Sequence, residues 1–130
     1  MHKPKKDPTH RAVLVVDDHP DLRRMVVRML GRAGIGEVDE ADCGEVCLAL
    51  CGGFKYDVIL MDLTMPGMDG YATFLELRKI DPDVVTILSS GWSATEIAER
   101  TAETPPAALL AKPFTAEDLV STLTRLGLWR

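Results

Sequence analysis

Four short apolar runs recur along the chain, separated by stretches in which apolar residues return every three or four positions. The runs are AVLVV (12–16), DVILM (57–61), VVTIL (84–88) and AALLA (107–111). Continuous apolar runs of this length are typical of parallel strands that are covered on both faces. A fifth and more polar stretch, EVDEA (37–41), predicts an edge strand.

Helical periodicity fills the intervals between these runs. The first helix is predicted to begin at Pro20 and to stop at Gly34, and others are predicted over 44–52, 70–80, about 94–103 and from Thr115. Thr115 and Asp118 have the spacing of a capping box. The stripes predicted to face the core are Leu22, Met25, Val26, Met29, Leu30 and Ala33 in the first helix, Phe74, Leu75, Leu77 and Ile80 in the third, and Leu119, Leu123 and Leu126 in the fifth. The fourth helix is poor in large apolar residues and is predicted to be the least firmly held.

Strand and helix alternate five times, which predicts an α/β fold with a parallel sheet, right-handed crossovers and helices on both faces. A length of 130 residues fits one domain. We expect a flexible basic tail over 1–9 and a single folded domain over 10–130.

The net charge of −5 gives no overall positive field for nucleic acid or an anionic membrane. The basic start, which contains Lys3, Lys5, Lys6 and Arg11, is interpreted as a solvated tail, with nucleic-acid contact as the alternative. The start lacks the apolar segment of a signal peptide, and no apolar run approaches the roughly 20 residues of a membrane helix. We therefore expect a cytoplasmic protein.

Cys43, Cys47 and Cys51 are spaced four apart, which places them along one side of the second helix. Three thiols without a nearby histidine make a poor zinc site, and an odd number of cysteines argues against a disulfide framework. They are interpreted as small core-facing hydrophobes, with redox or metal chemistry as the alternative.

Carboxylates follow two of the predicted strands. Asp17 and Asp18 come directly after the first strand and Asp62 after the third. In an open parallel sheet, ligands collect beyond the carboxyl ends of the strands, so three carboxylates would share one cleft if these strands are neighbours. Like charges at such short separation raise one another's pKa or require a cation, and an all-oxygen ligand set suits Mg²⁺. Taken singly, the Asp17–Asp18 pair could instead face a helix dipole and Asp62 could cap a loop.

Two further strand ends complete the predicted site. The fourth strand ends in SSG, which offers a hydroxyl, and the fifth ends in AKPF, which offers Lys112. A carboxylate that is surrounded by a metal ion, an ammonium group and a hydroxyl has the surroundings that a phosphorylated aspartate requires. Asp62 is therefore the candidate nucleophile toward phosphorus.

The segments VVDDHP, VILMDLTMPGMDG, ILSSG and LLAKPF occur in this order at the strand ends. Over about residues 10–127 the chain resembles the receiver domain of two-component response regulators. The resemblance implies a flavodoxin-like receiver fold with strand order 2-1-3-4-5.

The resemblance also implies roles for the residues of the cleft. Asp62 would be the phosphoacceptor, Asp18 a direct Mg²⁺ ligand and Asp17 a ligand through water. The backbone carbonyl of Thr64 would supply a further metal ligand, and Lys112 would contact the phosphoryl group.

Two more features are implied beside the cleft. The Lys112–Pro113 peptide bond is expected to be cis. Alignment on Pro82 places Ser90, rather than Ser89, at the position of the family's switch hydroxyl. Ser89 would then point to the opposite face of the sheet.

The chain also departs from the family pattern. Leu109 stands where the family usually carries the aromatic residue whose movement reports phosphorylation, so this route of signal transmission is in doubt. Thr64 and Trp92 occupy positions thought to set the lifetime of the phosphoryl group.

The resulting hypothesis is a signalling domain rather than an enzyme with a separate substrate. A histidine kinase or histidine phosphotransfer domain would donate the phosphoryl group to Asp62. The face made by the fourth helix, fifth strand and fifth helix would then act on an unknown downstream protein. Near the end of the chain, Leu126, Leu128 and Trp129 could pack on the fold or join a weak homodimer.

Three alternative functions fit the sequence less well. A phosphohydrolase of the haloacid dehalogenase type would need a second aspartate at position 64, where Thr64 stands, and an inserted cap. A nucleotide-binding module is disfavoured because GRAGIG (31–36) follows a helix rather than a strand. A pseudo-receiver that only binds partners is disfavoured because the acidic and basic residues are all present.

Overall fold

The structure is a computed structural model that describes residues 12–35 and 37–128. Five strands and five helices alternate along it. The strands are β1 (Ala12–Val16), β2 (Glu37–Ala41), β3 (Val58–Asp62), β4 (Thr86–Ser90) and β5 (Ala108–Ala111). The helices are α1 (Pro20–Arg32), α2 (Gly44–Gly53), α3 (Gly70–Ile80), α4 (Ala94–Arg100) and α5 (Ala116–Arg125).

The strands form one parallel sheet in the order β2-β1-β3-β4-β5, which confirms the predicted topology. β1 lies beside β3, so Asp17, which directly follows β1, and Asp62, the last residue of β3, reach the same end of the sheet next to each other. The polar strand β2 lies at one edge, as its sequence predicts.

Two hydrophobic clusters, one on each face, hold the sheet between the helices. One face packs residues of β1, β3 and β4 against α1 and α5, through Val26, Leu30, Leu119 and Leu123. The other face packs alternate strand residues against α2, α3 and α4, through Cys47, Cys51, Phe74, Leu77 and Ile97. Because successive strand side chains point to opposite faces, the two clusters use alternating positions such as Leu60 and Met61.

Three strands are displaced from their predicted ranges. β3 begins one residue later and includes Asp62, β4 extends to Ser90, and β5 begins one residue later at Ala108. The predicted strand start at Asp57 is wrong by one residue: β3 begins at Val58, and the Asp57 side chain accepts a hydrogen bond from the Ala12 N–H at 2.7 Å. Asp62 is therefore the last residue of a strand and not the first residue of a loop.

Three residues predicted to face the core are exposed. Leu22 and Met25 of α1 are 39% and 42% exposed, and Ile80 of α3 is 40% exposed. Helical periodicity identifies a stripe but not how far the neighbouring element extends along it. Ile80 is the last residue of α3, whereas Leu22 and Met25 line an open cavity beside Pro113 and Phe114.

Helix α4 has seven residues and is shorter than predicted. Its core contact is Ile97, which is fully buried. A capping box that the sequence analysis overlooked starts the helix, with the Ser93 Oγ accepting from the Glu96 N–H at 3.1 Å. Polar capping thus compensates for the few apolar contacts of this helix.

The cysteines and the chain ends complete the description. Cys47 and Cys51 are buried and Cys43 is half-buried, all three as free thiols. The predicted tail over 1–9 and Trp129 lie outside the described residues. Among the described helices, none has the length and apolar character needed to cross a bilayer.

Candidate phosphoacceptor site

Two buried carboxylates lie side by side at the carboxyl edge of the sheet. Asp17 directly follows β1 and Asp62 ends β3, and each residue is 5% exposed. Strand pairing places them there, because Val16 is opposite Met61 in the β1–β3 register. Two negative charges are therefore withdrawn from water close to each other.

Lys112 brings a positive charge to this pair from the end of β5. Its Nζ lies 3.0 Å from the Asp17 Oδ2 and 3.4 Å from the Asp62 Oδ1. The lysine side chain is 21% exposed, so its ammonium group is largely shielded from solvent. The structure thus brings together three of the residues that the sequence predicted to share a pocket.

His19 also contacts the acidic cluster, although the sequence analysis gave it no role. Its Nδ1 lies 3.3 Å from the Oδ1 atoms of both Asp17 and Asp18. Its backbone N–H donates to the Asp17 Oδ1 at 2.9 Å. The VVDDHP segment held this signal, since a residue two positions after an aspartate often donates its N–H to that carboxylate.

The donor set fits a hard divalent cation. One ligand atom from each of Asp17, Asp18, His19 and Asp62 lies within 4.8 Å of all the others. The Asp18 Oδ1 is buried and accepts no hydrogen bond from the described residues. A buried carboxylate oxygen without a donor is costly unless a cation or water satisfies it, and carboxylates are the ligands that Mg²⁺ prefers.

The pKa of Asp62 is raised above its usual value. Burial is the main cause, because it disfavours the charged form, and the negative charge of Asp17 acts in the same direction. Lys112 and the Thr64 N–H, which is 3.4 Å from the Asp62 Oδ1, act in the opposite direction. The carboxylate of Asp62 is thus held in an environment that does not fully satisfy its charge.

Gly70 allows the backbone to pass close to Asp62. A Cβ atom at position 70 would lie 2.2 Å from the carbonyl oxygen of Asp62. The Gly70 N–H donates to the Leu63 carbonyl at 2.8 Å, which folds the loop from Thr64 back onto the strand end. The start of α3 and the candidate phosphoacceptor are therefore fixed relative to each other.

The two serines of β4 point to opposite faces. Asp62 pairs with Ser89 in the sheet register, so their side chains share the face of α1 and α5. Ser90 is two residues after Leu88, which belongs to the cluster on the face of α2, α3 and α4. The Ser90 Oγ accepts a hydrogen bond from the Trp92 N–H at 3.0 Å.

The remaining residues singled out by the sequence lie around the cleft. Leu109 and Trp92 are half-buried and pack against the cluster on the face of α2, α3 and α4. Thr64 is exposed. The Lys112–Pro113 peptide bond is cis, the form that the resemblance implies.

Arg23 is a supporting residue that the sequence analysis missed. Its Nη1 donates to the Asp17 carbonyl oxygen at 2.8 Å, and its Nε donates to the Glu40 Oε1 at 2.9 Å. It thereby ties the loop after β1 to the edge strand β2. Its spacing from Asp17 carries no recognisable motif.

Comparison with known proteins shows which family the chain belongs to. Residues 13–124 match the family described as "Response regulator receiver domain". The chain belongs to this family. The response regulator GacA of Pseudomonas aeruginosa is 34% identical to it over 115 residues, which are 88% of this chain and 54% of GacA. This receiver domain therefore spans about half the length of that relative.

Solved structures share the fold. Chemotaxis protein CheY4 of Vibrio cholerae has a TM-score of 0.82 and 30% identity, with 89% of this chain and 98% of that chain covered. The response regulator protein TrrA of Thermotoga maritima, in complex with Mg²⁺ and beryllofluoride, has a TM-score of 0.79 and 28% identity over 89% of this chain and 98% of that chain. Both support the receiver fold seen here.

The raised pKa of Asp62 predicts that Asp62→Asn stabilises the receiver domain. The folded state holds a proton on Asp62 more tightly than the unfolded state, whose pKa is near 3.8, so this residue favours folding at low pH and disfavours it as pH rises. The gain in free energy of unfolding of Asp62→Asn over the natural protein should therefore grow from about pH 4 toward neutrality. Urea denaturation at several pH values, with a chelator present, measures it.

Asp83→Asn is the matched control, because Asp83 is exposed and precedes β4 at the opposite edge of the sheet. Added Mg²⁺ should stabilise the natural protein and the control more than Asp62→Asn, since the variant lacks one of the carboxylate ligands and binds the ion less tightly. A pH-independent gain, or equal stabilisation of all three proteins by Mg²⁺, would contradict the interpretation.

Proposed function

We propose that Asp62 accepts a phosphoryl group from a histidine kinase or a histidine phosphotransfer domain, and that this changes how the receiver domain contacts a downstream protein. The observation that carries the proposal is the buried pair of Asp17 and Asp62 under the ammonium group of Lys112. The family membership and the four strand-end segments support it.

The transfer exchanges one phosphorus bond for another. An oxygen of Asp62 attacks the phosphorus of a phosphohistidine, the P–N bond breaks, and the electron pair returns to the imidazole. Lys112 offsets the negative charge of the transferred oxygens. Asp17 and Asp18 would hold Mg²⁺ with Asp62 and the backbone carbonyl of Thr64; when bound, the ion neutralises charge on the phosphoryl oxygens.

An apolar patch next to the site is proposed to receive the donor protein. Leu22 and Met25 of α1, with Pro113 and Phe114, form this docking patch. They line a cavity of about 250 Å³ that also contacts Asp17 and Lys112. A partner seated on the patch would present its phosphohistidine to Asp62, because the patch and the site share a wall. Exposure of two large apolar side chains on an otherwise polar helix face is typical of such contacts.

The signal is proposed to leave through the face of α4, β5 and α5. Ser90 approaches the phosphoryl group, and the population of this face shifts. A change from 1:99 to 99:1 requires roughly 5.5 kcal/mol, whereas one hydrogen bond to a charged group contributes roughly 1.5–3 kcal/mol. The shift is therefore partial in the isolated domain and is completed by the downstream partner.

Thr64 and Trp92 are proposed to set the lifetime of the phosphoryl group. Thr64 is exposed at the start of the loop after Asp62, and its N–H faces the Asp62 carboxylate. Trp92 follows Ser90 by two residues and places a half-buried indole beside the loop. Both side chains would govern access of water to the acyl phosphate.

Phosphorylation of Asp62 is the central test. Incubated with acetyl phosphate and Mg²⁺, the protein should gain the mass of one phosphoryl group, whereas Asp62→Asn should gain none. A chelator should abolish the gain, and Asp83→Asn should retain it. Intact-protein mass spectrometry measures the change, and a gain that persists in Asp62→Asn would refute the assignment.

The choice between the two serines has its own test. Ser90→Ala should weaken the response to Mg²⁺ and beryllofluoride by roughly tenfold, the effect of losing one hydrogen bond to a charged group. Ser89→Ala, which removes the hydroxyl on the Asp62 face, should change the response less. Titrations followed by tryptophan fluorescence measure both, and the reverse order would identify Ser89 as the switch.

The docking patch predicts that substitutions in it weaken binding of the donor protein without changing phosphorylation by acetyl phosphate. Leu22→Ser and Met25→Ser should each weaken donor binding by roughly tenfold, because each removes on the order of 1.5 kcal/mol of apolar burial. Labelling by acetyl phosphate should be unchanged. Ile80→Ser is the matched control, since Ile80 is equally exposed but lies at the end of α3. Rates of phosphotransfer from a phosphorylated histidine phosphotransfer domain measure the effect, and equal losses in all three variants would exclude the patch.

A further inference from the structure

The hydroxyl of Ser90 is bonded to the loop after β4. Ser90 is 1% exposed, and strand alternation places it on the same face as Leu88, which packs toward α2, α3 and α4. Its Oγ accepts the Trp92 N–H at 3.0 Å. Any movement of Ser90 toward the other face must therefore loosen this bond or carry the Trp92 backbone with it.

Trp92 is in turn held by Arg100 of α4. The guanidinium carbon of Arg100 lies 4.5 Å from the centroid of the Trp92 ring, which is a stacked cation–π contact. The Arg100 side chain is 50% exposed, so the contact is partly solvated. Trp92 directly precedes the capping box of Ser93 and Glu96, and Arg100 is the last residue of α4. The capping box keeps the start of α4 in place.

Arg100 also faces the other loop of the site. Its Nη2 lies 4.0 Å from the Asp69 Oδ2, a distance that allows charge attraction but not a direct hydrogen bond. Asp69 is the N-cap of α3, where its Oδ1 accepts the Ala72 N–H at 2.8 Å. One guanidinium group thus connects the loop that follows Ser90 to the loop that follows Asp62.

The side chain of Leu109 cannot make contacts of this kind. It packs on the same face as Ser90, yet its side chain has neither a ring that could stack nor a polar group that could bond the loop. Arg100, by contrast, contacts an aromatic ring and a carboxylate on two different loops. The connected path from Ser90 therefore runs through Trp92 to Arg100.

We propose that Arg100 is a positioning residue that, by stacking on Trp92 and facing Asp69, holds Ser90 in its withdrawn position and opposes its approach to the phosphoryl group. The inference rests on the proposed function of Asp62 and Ser90. Movement of Ser90 toward the phosphoryl group weakens the stack, so the energy of this contact sets how readily the receiver domain responds.

The test is a double-mutant cycle between Arg100 and Ser90. Trp129→Phe is introduced throughout, so that Trp92 is the sole tryptophan of the chain. Each protein is titrated with beryllofluoride at fixed Mg²⁺, and the midpoint is read from Trp92 fluorescence and by calorimetry. The cycle compares Arg100→Ala with its parent in the Ser90 background and in the Ser90→Ala background.

Arg100→Ala should lower the beryllofluoride midpoint by roughly three- to tenfold, from loss of a partly exposed cation–π contact and a weak ion pair. In the Ser90→Ala background the same substitution should have no effect. A purely structural role of Arg100 would change both backgrounds equally. Such equal change, an unchanged midpoint or a raised midpoint would overturn the proposal.

Two conservative variants distinguish the cation–π contact of Arg100 with Trp92 from its ion pair with Asp69. Arg100→Lys keeps the charge but loses the planar stack, and it should lower the midpoint by less than Arg100→Ala. Asp69→Asn removes the ion pair and retains a good N-cap, so it should have the smallest effect. If the parent protein gives no response to beryllofluoride, the function of Asp62 fails; if the parent responds but the cycle shows no coupling, only the role of Arg100 fails.

Discussion

The confinement of two negative charges under one positive charge is the constraint on which the arrangement depends. Asp17 and Asp62 are both buried, and Lys112 lies within 3.4 Å of each carboxylate. Neither carboxylate could be buried in this way without the ammonium group, because desolvation of like charges is costly. The strand order supplies the solution: β1 and β3 deliver the acids side by side, and a lysine long enough to reach over β4 arrives from β5. Lys112 does not fully compensate for this cost, because burial and the negative charge of Asp17 still raise the pKa of Asp62.

Much of this arrangement was predictable because each part depends on local sequence. Continuous apolar runs identified the strands, and the parallel topology then required all carboxyl ends to meet at one edge. Strand ends were harder to predict, because residues such as Asp57 and Asp62 join or leave the ladder according to hydrogen bonds with distant residues. The exposure of Leu22 and Met25 was not predictable either, since periodicity does not show where a covering element ends.

Contacts between loops that are distant in sequence could not be predicted from sequence patterns. Arg23 bonds Glu40 across 17 residues, and Arg100 meets Asp69 from another helix. Arg23 is followed directly by the exposed Arg24, and Arg100 is the last residue of α4, so neither sequence indicates which carboxylate the arginine contacts. By contrast, the contact of His19 and the capping box at Ser93 were legible in the sequence, as the Asp-x-His and Ser-x-x-Glu spacings.

The alternation of side chains along β4 has a mechanical consequence under the proposed function. Asp62 points to the face of α1 and α5, where the docking patch lies, whereas Ser90 points to the face of α4. A phosphoryl group that arrives from one face must therefore attract a hydroxyl from the other, around the end of the sheet. Since the sheet itself is close-packed and buried, the adjustment is left to the loop after β4. The receiver domain can thus take its phosphoryl group on the face of α1 and pass the change to α4 on the opposite face without repacking its core.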